Sequence, residues 1–215
     1  MKHIFLILSL LLPFNALAET VKINVLDNVG EPVNNAVVSF YSDDKSKNNL
    51  PQGVEKPVMV QQGQEFVPHV LPIRLGSSVD FPNKDNFRHM IYSFSKPKRF
   101  EVQLYGGEDQ VIVNFDKPGV VTLGCNIHDN MLGYIYVLET DNFVKTDETG
   151  KSELTGIAPG TYTVSLWHPD LSDNAEKYDR EVTIVNGENQ TVEFSVNLKP
   201  TLTLKNRLSY CNLRD

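Results

Sequence analysis

The chain has 215 residues, room for one large or two small domains. A formal net charge of −7 argues against nucleic acid, whose phosphates demand a basic face, and favours a partner with a basic docking patch. Met1-Lys2-His3 opens positive, residues 4–13 are apolar, and Asn15-Ala16-Leu17-Ala18-Glu19 carries an Ala-x-Ala pattern. Those are the parts of a cleavable secretory signal, with cleavage expected after Ala18; an uncleaved anchor is the alternative. The apolar run falls short of the ~20 residues that span a bilayer. No later segment is apolar enough to cross, so the mature protein is expected to be soluble and exported to the periplasm.

After the leader, residues 21–26 alternate apolar and polar, a strand period. Asp27-Asn28-Val29-Gly30-Glu31-Pro32 is a turn cluster, and residues 36–41 form a second strand, so the pair reads as a β-hairpin. Residues 42–57 are strongly polar and broken by glycine and proline, the composition of a linker. A new strand series follows. Residues 66–75 are extended and interrupted by Pro68 and Pro72, which suits a sheet edge. Further strands are expected at 79–83, 89–94, 100–104, 111–115, 120–123 and 132–138. Residues 152–154, 161–167, 180–185 and 190–196 continue the pattern, the last two joined by Asn186-Gly187-Glu188, a strong hairpin signal. No stretch has a long helical period. Short strands about ten residues apart with Gly/Pro/Asn turns indicate an all-β sandwich or barrel.

The chemistry concentrates in Gly124-Cys125-Asn126-Ile127-His128-Asp129-Asn130-Met131, set between two apolar strands. A thiolate, an imidazole and a thioether at three-residue intervals match the donors of a mononuclear copper electron-transfer site, in which the thioether is a weak axial contact. That site needs a second histidine, and His89 is the candidate. Strand alternation turns Met90 away from the face that carries His89. Asn83 and the loop backbone are expected to brace the ligand loop or its thiolate. His128 is expected to expose a ring edge as the electron exit, with Leu132 and Gly133 forming an apolar patch around it.

Other readings compete for the same residues. Cys125 and Cys211 could form one disulfide in an oxidising compartment. The ligand context of Cys125 favours instead a metal-binding thiol, with Cys211 an incidental thiol in a polar tail. Met131 could be core filler. A Cys125–His128 nucleophile pair lacks an oxyanion site and an orienting third group. Structural zinc prefers four Cys/His donors and rarely takes Met. His69 and His168 read as polar surface.

Residues 58–139 resemble the cupredoxin family of small blue copper proteins. The matching residues are Phe66-x-Pro68, Gly76-Ser77-Ser78-Val79-x-Phe81-x-Asn83, His89, Cys125, His128 and Met131. The short Cys-x-x-His-x-x-Met loop is similar to that of amicyanins, and the wider match is to plastocyanin-like, methylamine-utilisation-type proteins. The resemblance implies one copper ion, cycling between Cu(II) and Cu(I), with His89, Cys125, His128 and Met131 as ligands. Ile127 stands where many relatives have proline, and Arg88 replaces a small residue or proline before the first ligand; neither removes a donor. The flanks resemble a carboxypeptidase-regulatory, transthyretin-like β-sandwich cut in two. Its first hairpin lies before residue 50, while Thr146-Asp147-Glu148-Thr149-Gly150 and Pro159-Gly160-Thr161-Tyr162-Thr163-Val164 supply its later turn and strand.

The expected organisation is therefore a signal peptide at 1–18, a cupredoxin Greek-key sandwich at 58–139 inserted into a second, Ig/transthyretin-like sandwich at 19–50 and 140–198, and a tail at 199–215. Insertion at a loop tip is tolerated because domain termini often lie close together. The expected function is that of an exported type 1 copper protein carrying single electrons between redox partners, a cytochrome or a dehydrogenase on the other side. It is not expected to be an enzyme, since four protein ligands leave no open coordination position. The alternatives are copper trafficking, or a carbohydrate- or protein-binding role for the flanking sandwich. Neither nucleic acid nor stable membrane insertion is expected.

Overall fold

The computed structural model describes residues 20–48, 56–128 and 130–200; the leader, Cys211 and nearly all of the tail lie outside the described residues. The chain is all-β, with two short 3-10 turns at Lys45–Asn48 and Ala175–Tyr178. Among the described residues no helix is long and apolar enough to cross a membrane.

The flanking residues build two sheets. β1 (Thr20–Asp27) lies between β13 (Lys151–Thr155), antiparallel, and β16 (Gln190–Val196), parallel. The second sheet runs β12 (Phe143–Lys145), β2 (Val37–Tyr41), β14 (Gly160–Trp167), β15 (Arg180–Ile184). Alternation puts Val21, Ile23 and Val25 of β1 into one apolar cluster with Phe40, Tyr162 and Val164 of the other sheet. Strand β2 is buried on both faces. Val38 and Phe40 enter that cluster, while Val37 packs with Val70 and Leu138 in a separate seam.

Two expected hairpins are corrected. β1 and β2 belong to different sheets, and the bridge between Leu26 and Pro32 ties β1 to its own turn and not to β2. Both edges of β1 are occupied by β13 and β16, so the chain must cross the core after its turn. Likewise the Asn186-Gly187 turn leads from β15, which pairs with β14, to β16, which pairs with β1. A turn signal fixes the reversal but not the partner strand.

The intervening residues form a second pair of layers. One sheet runs β5 (Val70–Arg74), β11 (Leu132–Leu138), β10 (Gly119–Gly124), β7 (His89–Phe94), β8 (Arg99–Tyr105). Proline-bearing β5 takes the expected edge, where Pro72 costs no ladder bond on its open side. The opposing layer pairs β3 (Val60–Gln62) with β4 (Glu65–Val67) and β6 (Ser78–Asp80) with β9 (Ile112–Asn114). Bridges Val58–Asp80 and Gln61–Asn83 tie the two pairs together. Phe66, Phe81, Ile91, Phe115, Leu123 and Ile135 fill the space between the layers.

The chain leaves β2 and returns to β12 at neighbouring points. Thr140 Oγ1 donates to the Phe40 carbonyl (2.8 Å), Asn142 Nδ2 to the Lys47 carbonyl (2.6 Å), and Arg74 pairs with Asp141 at 3.1 Å. Trp167 packs on Tyr134 and Tyr136, with ring centroids 5.8 and 5.2 Å away, and Lys145 Nζ donates to the Val70 carbonyl (2.9 Å). Burial holds the Lys145 amine below its usual value.

His168 is not surface, contrary to expectation. It is buried, with Nε2 3.1 Å from the Asn34 carbonyl oxygen and Nδ1 accepting the Asp170 N–H. Burial holds the ring below its usual pKa of 6.5 against the opposing charge of Asp170. The folded state therefore resists protonation, so stability is full above about pH 6.5 and falls as pH drops toward the lower folded value. Denaturant unfolding between about pH 8 and about pH 5 should show this decline. His168→Gln should flatten it.

Gly150 has φ +72°, and a Cβ there would strike the Val25 carbonyl oxygen. Gly150→Ala should cost about 1–2 kcal/mol from left-handed backbone alone, before the clash is added. Urea unfolding checks the loss.

Candidate metal centre

Strand pairing brings the donors together. Gly124 pairs with Leu132 of β11 on one side and with Tyr92 of β7 on the other. Residues 125–131 therefore link two adjacent antiparallel strands, and β7 runs alongside with His89 as its first residue. The donor atoms of His89, Cys125 and His128 lie within 4.8 Å of one another. Cys125 Sγ is 3.6 Å from His89 Nδ1, so that nitrogen faces the thiol. The Met131 N–H donates to the His128 carbonyl (3.0 Å), closing the loop as a turn.

The burial pattern suits a metal. His89, Cys125 and Met131 are buried, and Cys125 and Met131 belong to the same apolar cluster. Cys125 is a free thiol. His128 is half-buried, yet its Nδ1 is buried without a hydrogen-bond partner among the described residues. An orphaned imidazole nitrogen beside a thiol and a second imidazole is costly unless an ion completes it. One thiolate and two imidazoles, with a thioether in the same loop, fit copper. All four expected ligands lie at this end of the sandwich. Met90 is half-buried, off the buried face that carries His89.

Three rings line the approach: Phe87 to His89 at 4.9 Å, Phe87 to His128 at 5.5 Å, and His89 to His128 at 5.2 Å between centroids. Phe87, Ile127 and Leu132 are exposed; Phe87 stacks by His128 and Ile127 precedes it in the chain, while Leu132 lines a separate groove with Tyr92, Phe94 and Thr122. Gly133, expected in this patch, is buried against Phe66; a Cβ there would lie 2.7 Å from the Phe66 Cβ. His69 is exposed as expected and stacks edge-on against Tyr134.

The loop before β7 holds a partner that the sequence did not disclose. His89 Nε2 lies 2.7 Å from Asp85 Oδ2. The Gly63 N–H donates to Asp85 Oδ1 (2.7 Å) and the Gln64 N–H to Oδ2 (3.1 Å). Burial alone would raise the Asp85 carboxyl, but hydrogen bonds from His89, Gly63 and Gln64 outweigh it and hold it below the usual carboxylate range. Asn83 braces this loop rather than the thiolate. Its amide donates to the carbonyls of Phe87 (2.9 Å) and Tyr105 (3.1 Å), and its oxygen accepts the Asp85 N–H (2.9 Å). Asp85 and Phe87 fall between the expected strands 79–83 and 89–94, and their contacts come from loop conformation and not from a period.

No family model matches the sequence, and no curated protein matches it. Solved structures similar to it include a copper-containing nitrite reductase from Thermus scotoductus SA-01, at 27% identity over 46% of this chain, with a TM-score of 0.38. This chain spans 27% of that reductase's length. A purple cupredoxin from Nitrosopumilus maritimus is similar at 22% identity, over 38% of this chain and 99% of its own, with a TM-score of 0.35. The reduced Cu(I) form of an amicyanin variant is similar at 15% identity, over 47% and 98%, with a TM-score of 0.37. Each alignment spans less than half of this chain.

Asn83→Ala should leave the Phe87 and Tyr105 carbonyls short of a donor, costing roughly 1–3 kcal/mol for each group that stays buried and unsatisfied. Urea unfolding of the metal-free protein measures it.

Proposed function

We propose that this is a type 1 copper protein that carries single electrons, with His89, Cys125, His128 and Met131 as ligands of one copper ion. The observation that carries the reading is the buried convergence of one thiol and two imidazoles, one with an orphaned Nδ1. Bound copper would supply the Cu(II)/Cu(I) couple. The chain's own contribution is rigidity. Donors fixed by three paired strands and an apolar core need little rearrangement between oxidation states. The half-buried His128 ring, with exposed Phe87 against it and exposed Ile127 next to it in the chain, is the proposed point of electron exchange with a redox protein.

Four protein donors would complete the coordination, so the proposal is a carrier without substrate turnover. We place it in the periplasm on the strength of the leader at 1–18. We also read the short ligand loop as amicyanin-like, and residues 58–139 as a cupredoxin sandwich inserted into a host formed by 19–50 and 140–198. The separate apolar clusters of the two parts support that division. A sugar-binding role for the host is less favoured. Tyr162 is fully buried and Trp167 is packed in the seam, so neither supplies an exposed platform.

Purified full-length protein loaded with Cu(II) should show an intense visible thiolate-to-copper absorption at one copper per chain. Cys125→Ser should abolish the band. A colourless copper-loaded wild type would overturn the reading, and strong colour with sluggish electron self-exchange would assign trafficking instead.

A further inference from the structure

We propose that Asp85 is a positioning residue for the copper centre: its carboxylate holds His89 in the tautomer that turns a bare Nδ1 toward Cys125, and its charge favours Cu(II) over Cu(I). This rests on the copper reading of the site and deepens it. The geometry begins with the 2.7 Å contact between His89 Nε2 and Asp85 Oδ2. A carboxylate that also accepts the Gly63 and Gln64 N–H groups has acceptors to offer and no proton to give. The hydrogen between Asp85 and His89 therefore belongs to the imidazole. In the neutral ring a proton on Nε2 leaves Nδ1 with its lone pair, and it is Nδ1 that stands 3.6 Å from Cys125 Sγ.

The arrangement is a relay of fixed parts. The turn between β3 and β4 supplies the two N–H groups that clamp Asp85, and Asn83 accepts the Asp85 N–H, so the carboxylate cannot swing away from the ring. The His89 side chain is fully buried and that of Asp85 is only 10% exposed. Salt screens such a pair much less than an exposed one. A carboxylate on the far nitrogen makes the ligating nitrogen a stronger donor, as in carboxylate–histidine–metal triads. Stronger donation and a nearby negative charge both stabilise the more positive oxidation state. Asp85 is thus expected to lower the reduction potential of the centre. Gain of an electron by Cu(II) from an external one-electron titrant is the only redox step involved, and no proton needs to leave the pair.

The deciding experiment is spectroelectrochemical titration of copper-loaded full-length wild type and Asp85→Asn. Asparagine keeps the size and an acceptor oxygen but loses the charge. Loss of a second-shell partner changes metal affinity by about 10–100-fold. The variant should therefore lose at least about tenfold of its preference for Cu(II) over Cu(I), a rise of about 59 mV for one electron. A merely structural Asp85 predicts a less stable variant with an unmoved potential, and that outcome overturns the proposal. A fall in potential overturns it as well. A second readout needs neither copper nor a variant: ring nitrogen-15 shifts of the metal-free wild type, taken at a pH where the His89 ring is neutral, should show the Nε2–H tautomer. The Nδ1–H tautomer of the neutral ring would overturn the assignment, even if Asp85→Asn failed to fold. Absence of a thiolate band in the wild type would sink the copper reading alone, since the metal-free ring shifts would still decide what Asp85 does to His89.

Discussion

Everything at the metal centre depends on one residue's pairing. Gly124 closes the β10–β11 ladder against Leu132 and, on its other side, meets Tyr92 of β7. That double pairing sets Cys125 at the mouth of a two-strand link and brings the start of β7 alongside it. The Tyr92 ring lies over Gly124 so closely that a Cβ would be 2.6 Å from a ring carbon. Any larger residue would push Tyr92 or the strand aside. The three donors therefore meet because the strands leave them no other place, and the thiol is buried because the same strands carry the apolar core.

Burial then dictates the rest of the chemistry. The Cys125 thiol, the His89 ring and His128 Nδ1 are buried and cannot turn to water for partners. Each buried nitrogen needs either a protein group or an ion. His89 has Asp85 on one nitrogen and faces the thiol with the other. His128 has a buried Nδ1 with nothing to bond. The unmet demand falls at the centre of the cluster, where a cation would sit.

Much of this was written in the sequence where local chemistry decides the outcome. The Cys125–His128–Met131 spacing is a property of one short loop, and His89, at the start of the expected strand 89–94, was the candidate for the second imidazole. Pro68 and Pro72 marked residues 66–75 as an edge strand, since a missing N–H is poorly tolerated inside a sheet; the chain breaks at Pro68 into β4 and β5, and β5, with Pro72, takes the edge. What stayed hidden depends on distant residues. The turns at Asp27–Pro32 and Asn186-Gly187 reverse the chain, but β1 had already taken both neighbours from far along the sequence. His168 looked like surface because nothing nearby announces the Asn34 carbonyl that meets it. Gly133 looked like part of a patch, although Phe66 covers it. Asp85 sits four residues before His89 in a loop, where spacing carries no direction. Only the clamp from Gly63 and Gln64 aims it.

The crossing between β2 and β12 has a consequence of its own. The chain departs after Tyr41 and returns by Asp141, and Thr140 and Asn142 bond back to Phe40 and Lys47. A folded flanking sandwich thus holds both ends of a loop of about a hundred residues, and closing a loop that long is an entropic cost the intervening segment would otherwise meet alone. The flanking sheets act on it as a non-covalent crosslink, restricting its unfolded chain much as a disulfide would. The intervening segment carries no such bond among its described residues. Its one described cysteine is thereby left free to serve as a ligand.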